Sequence, residues 1–164
     1  MVQSKGHTCH IMRSGDPVMD ELAELRMLLT EGRIEEALLL VDELDEMSRE
    51  DKINKISSAM RLLLIHLIKQ HAEQRSTRSW EVSLKEALRQ ISRTNTRRKA
   101  GGVYLTREEL QAELADVYDL ALERAALEDF GGIYSAEELA TRVAREQVLE
   151  QALTLIVGDA AEYY

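Results

Sequence analysis

The sequence predicts an all-α fold, a five- or six-helix bundle in a single domain with no sheet, on three observations. Leucine, alanine, glutamate and arginine dominate the 164 residues and proline occurs once, a composition that favours helix almost throughout. Apolar residues recur at three- and four-residue intervals, and no segment sustains the period-two alternation of a half-buried strand. Capping signals then punctuate these segments at both ends. The hydrophobic share is 45%, enough for one core, and with aromatics at 4% that core must be aliphatic.

Residues 1–15 are polar and unpatterned and read as a flexible tail, ahead of a helical domain over 16–158 and a short C-terminal tail over 159–164. Asp16 followed by Pro17 starts the first helix: a side-chain cap, then a residue that needs no donor at the first helical position. Val18, Leu22, Leu25 and Leu29 form its apolar stripe, and Gly32 stops it. A second helix is expected from about Ile34 to Met47, with Ala37, Leu38, Val41 and Leu44 on one face. Ser48 with Asp51 resembles a new start, but the same stretch also fits inside one longer helix. Ile53, Ile56, Met60, Leu63, Leu64 and Leu67 follow, with a fraying end near Gln74. That segment is apolar on most sides, which places it at the centre of the bundle.

Ser79 is the expected cap of the next helix, whose stripe is Trp80, Leu84, Ala87, Leu88 and Ile91, and Ala100-Gly101-Gly102 breaks it. Thr106 with Glu109 forms a capping box. It opens a helix with Leu110, Leu114, Val117, Ala121 and Ala125 inward, ended by Gly131-Gly132. Ser135 with Glu138 forms a second box and opens one last helix carrying Leu139, Val143, Leu149, Leu153 and Ile156 to a stop at Gly158.

Charge is segregated. The chain carries a net −9, yet residues 61–99 hold ten basic and three acidic side chains. Lys85, Arg89, Arg93 and Arg97 recur every four residues as one basic ridge, extended by Arg98 and Lys99. Glu109, Glu113, Asp116 and Glu123 form an acidic ridge on the following helix. A solvated helix face accounts for such a ridge, an acidic protein partner is the next reading, and phosphate binding the third. The anionic molecule opposes nucleic acid everywhere except at that ridge, and no nucleic-acid module accompanies it.

The stretch from Met60 to Trp80 concentrates the remaining chemistry. His66, Lys69, Arg78 and Trp80 are candidates for a pocket holding an anionic ligand, although a core histidine and a core or boundary tryptophan fit the same residues. No nucleophile elbow, phosphate loop, dinucleotide fingerprint or metalloprotease motif occurs, so no catalytic residue is assigned. His7, Cys9 and His10 are borderline metal ligands with no fourth partner in view, and Glu-x-x-His is missing. No metal and no cofactor is assigned. Cys9 is the only cysteine, which suits a reducing cytoplasm. The longest apolar runs are too short to cross a bilayer, and the N-terminus has no apolar stretch of signal-peptide length.

The segment from Asp42 through Trp80 resembles a bacterial family of domains of unknown function, number 29. Glu43-Leu44-x-x-Met47, Ile65-His66-Leu67-Ile68-Lys69 and Arg75-Ser76-Thr77-Arg78-Ser79-Trp80 carry the resemblance. Leu84 to Arg93 and Tyr118 to Glu128 continue it, over roughly residues 20 to 130, and the long capped C-terminal helix departs from it. The resemblance implies a small helical bundle and no assigned activity. The function expected on these grounds is a soluble helical protein-interaction module, self-association included, without catalysis. The alternatives are nucleic-acid binding at the basic ridge and a ligand pocket around His66.

Overall fold

Six helices make up the computed structural model, which describes residues 17–98, 101–128 and 133–161. They are α1 (Pro17–Thr30), α2 (Ile34–Glu73), α3 (Arg78–Asn95), α4 (Arg107–Glu128), α5 (Ala136–Arg142) and α6 (Arg145–Ala161). Among the described residues there is no strand, only an isolated antiparallel bridge between Thr96 and Val103. The all-α reading holds, with different divisions. Ser48 does not start a helix: α2 runs through it for 40 residues, because no glycine or proline lies between Ile34 and Glu73 to interrupt it.

The expected last helix is instead two. Val143 is extended at φ −116 and ψ 122, and it caps α5 through its N–H to Leu139 O. In one straight helix Val148 would lie about 180° around from Leu139. The break brings Leu139, Val143 and Val148 all into the core, where none is more than 4% exposed. α6 also continues past Gly158 to Ala161, since glycine in the right-handed region costs only about 1 kcal/mol.

Two compact units divide at Met47 and Ser48. In the first, α1 turns into α2 through a Schellman motif: Arg33 N–H donates to Leu28 O at 2.9 Å and Gly32 N–H to Leu29 O at 3.2 Å. Gly32 sits at φ 71, where a side chain would be strained. Leu28 and Ala37 are buried here, whereas Leu22, Leu29, Leu38 and Val41 are exposed. The apolar stripes expected of these helices are therefore largely open to solvent.

The second unit contains the main core. Ile56, Met60, Leu63, Leu64, Leu67 and Ile68 of α2 are fully buried at its centre, as the apolar run requires. The stripes of α3 and α4 close over them, with Val117 half-buried and Tyr118 buried in its place. α6 packs on both α3 and α4, and α5 on α4. The two capping boxes form as read. Thr106 N–H donates to the Glu109 carboxylate at 2.8 Å, and Ser135 N–H to that of Glu138 at 2.9 Å.

Asn95 ends α3 and organises the turn to α4. Its amide donates to Leu105 O at 3.0 Å and its Oδ1 accepts from Leu105 N–H at 2.7 Å. Tyr104 N–H reaches Asn95 O at 2.9 Å, and Arg97 N–H reaches Gly102 O at 3.0 Å. Gly101 and Gly102 take φ values of 74 and 79, which the tight return demands.

Candidate functional site

α3 sets its basic side chains along one wall of a groove. Its cap is Thr77, not Ser79: the Thr77 hydroxyl accepts from Trp80 N–H at 3.2 Å. The helix stops at Asn95, so Lys85, Arg89 and Arg93 step along it at about 6 Å intervals, while Arg97 and Arg98 come from the turn beyond. Lys52 and Lys55 of α2 form the facing wall. Seven cations thus line a groove of ≈ 1050 Å³ with one carboxylate, Glu86, among its lining residues. Arg97 lies over the Tyr104 ring at 5.5 Å, and Lys55 pairs with Asp51 at 2.8 Å. That contact holds the Asp51 carboxyl below its usual range.

The groove therefore gathers Lys85, Arg89, Arg93 and Arg97 from the predicted ridge, while Lys99 lies outside the described residues. Lys52 and Lys55 escaped the sequence reading. Their signal was their three-residue spacing on the polar side of α2, which became meaningful only when α3 folded against that helix. The acidic ridge expected on α4 is partly consumed. Glu109 caps its own helix and pairs with Arg49 at 3.7 Å, with its carboxyl lowered first by the Thr106 N–H. Glu113 accepts from the Ser57 hydroxyl.

The four pocket candidates fall in different settings. His66 is buried, at 9% exposure, and its Nδ1 has no partner among the described residues. Burial lowers its pKa, and the nearby Lys69 charge adds to that. Lys69 is buried too, which lowers its own pKa against the pull of Glu128 and Glu73. Its ammonium lies 5.9 Å from the centre of the half-buried Trp80 ring, and Arg75 lies 5.3 Å from the same ring. Such stacks stabilise by about 0.5–1 kcal/mol each where exposed. Arg78 is exposed at the first position of α3 and is not part of this stack. Arg75, which was not among the pocket candidates, takes the place beside the indole.

A smaller recess of ≈ 350 Å³ lies next to Arg75, lined also by Gln70, His71, Gln74, Ser76, Glu81 and Gln151. His71 Nε2 meets Gln151 Oε1 there at 2.7 Å. Among the described residues no group of three or more histidine, cysteine or acidic side chains is placed to hold a metal. His7, Cys9 and His10 lie outside them. No described helix is long and apolar enough to cross a membrane.

No curated protein and no solved structure matches the chain. The family match runs past the C-terminal limit of the resemblance, near residue 130, through α5 and into α6. It covers residues 26–152, and the chain belongs to the family described as domain of unknown function DUF29.

Proposed function

We propose that the chain is a non-catalytic binding module whose cationic groove receives an acidic helical segment of a protein partner. The observation that supports this is the single file of α3 cations faced by Lys52, Lys55 and the Arg97–Arg98 turn. A file with a four-residue step advances about 6 Å per charge. Carboxylates at the same step on another helix meet it charge for charge. Exposed pairs of this kind contribute little singly, but across an interface they set orientation and association rate. A net charge of −9 disfavours nucleic acid at long range. The rings that bases would stack on already carry cations of this chain, Arg97 over Tyr104 and Lys69 and Arg75 over Trp80. A cytoplasmic setting fits the single cysteine.

The test is fluorescence anisotropy with a labelled alanine-rich peptide carrying glutamates every four residues, at about 50 mM and 200 mM salt. The expected result is binding that weakens at least several-fold with salt and is lost in the Arg89→Glu/Arg93→Glu variant. Failure to bind at the lower salt would overturn the reading. So would tighter binding of duplex or single-stranded oligonucleotides than of the peptide.

A further inference from the structure

The geometry points to a second copy of this chain as one occupant of the groove, with the first turns of its α2 as the acidic segment. This rests on the groove being a site for acidic helices. In α3, Arg78, Val82, Lys85 and Arg89 follow one another at intervals of four, three and four residues, and the last three of them line the groove. In α2, Glu35, Leu39, Asp42 and Glu46 follow at the same intervals. Each set lies along one helical face, because three- and four-residue steps return to the same side. Laid parallel, the two files pair position by position: Glu35 with Arg78, Leu39 with Val82, Asp42 with Lys85, Glu46 with Arg89. The antiparallel alignment would set Leu39 against a lysine. Only the parallel one matches apolar with apolar and every carboxylate with a cation.

All eight side chains are exposed. Leu39 is 65% exposed and Val82 57%, high values for aliphatic residues in a chain with a real core. None of the six charged members enters an ion pair among the described residues, so the files are not used up within one copy. By contrast Glu36, beside Glu35 but off the file, is held by Arg33. The two files are different surfaces, so the contact is heterologous and joins copies head to tail. A screening length of about 8 Å at physiological salt makes the assembly salt-sensitive.

The test is sedimentation velocity on the full chain and two exposed-residue variants, Lys85→Glu/Arg89→Glu and Asp42→Lys/Glu46→Lys. The wild type should exceed 18.7 kDa at low salt and return to that mass at high salt. Each variant alone should stay at the monomer mass, and an equimolar mixture of the two should associate again, since each supplies the charge the other lacks. A wild type that remains monomeric, association that survives in both variants, or a mixture that fails to associate would overturn the inference. The acidic peptide separates the two levels. If it still binds the wild-type groove, only the second copy is ruled out; if it does not, the groove reading falls as well.

Discussion

Replacing Asn95 with alanine tests how the α3–α4 turn is held. Asn95 is 8% exposed and Leu105 5%, so the two hydrogen bonds between them are shielded from water. The substitution strands both the N–H and the C=O of Leu105. An unpaired buried backbone group costs about 1–3 kcal/mol, so two of them, at about 1.5 each, give a loss near 3 kcal/mol. For a protein of this size that corresponds to a fall in Tm of about 6–12 °C. Urea unfolding followed by circular dichroism should show a lower midpoint with an unchanged slope. Asn95→Asp refines the test. Its carboxylate still accepts from Leu105 N–H but faces Leu105 O without a proton to donate, so its loss should shrink as acid protonates it. A loss below about 1 kcal/mol for the alanine variant would refute the argument, since it would mean that water or a rearranged turn already serves Leu105.

Two further outcomes follow from the same structure. Thr77→Ala should cost about 1 kcal/mol as a lost N-cap, while Ser79→Ala should change stability by less than about 0.5 kcal/mol, the usual range for a plain surface site; equal losses in thermal melts would contradict the Thr77 cap. His66 has a lowered pKa in the fold, so the unfolded chain binds its proton first and stability falls as pH drops below about 6.5. His66→Leu should flatten that slope, and parallel wild-type and variant curves between pH 5 and about 6.5 would show that His66 does not titrate differently on unfolding.

The helical nature of this chain, its capping boxes and the glycine stop at Gly32 were legible because each depends on a few neighbouring residues. Ser135 and Glu138 satisfy each other's backbone whatever lies around them. The burial of Leu63 to Ile68 was legible as well, because an apolar run wider than one stripe has nowhere to go but inward. The Ser79 start misled, and Ser48 stood open between a new start and one longer helix, because a capping residue is only a local option. Ser48 stays inside a helix that nothing interrupts, and α3 starts two residues before the expected point because the Thr77 hydroxyl accepts from Trp80 N–H.

Composition, periodicity and caps alone determined that the chain is helical, where its central helix buries, and that a basic block stands out from an acidic molecule. Tertiary structure decided what local patterns do not contain. It split the last helix so that Val148 could share the core with Leu139, and set Arg75 rather than Arg78 beside the indole. It brought Lys52 and Lys55 into one groove with the α3 cations, and it tied the end of α3 to Leu105 through Asn95. The reason is physical: short-range hydrogen bonding and helical spacing act between neighbours in sequence. A groove is made by residues some thirty positions apart, which meet only when the core they share has formed.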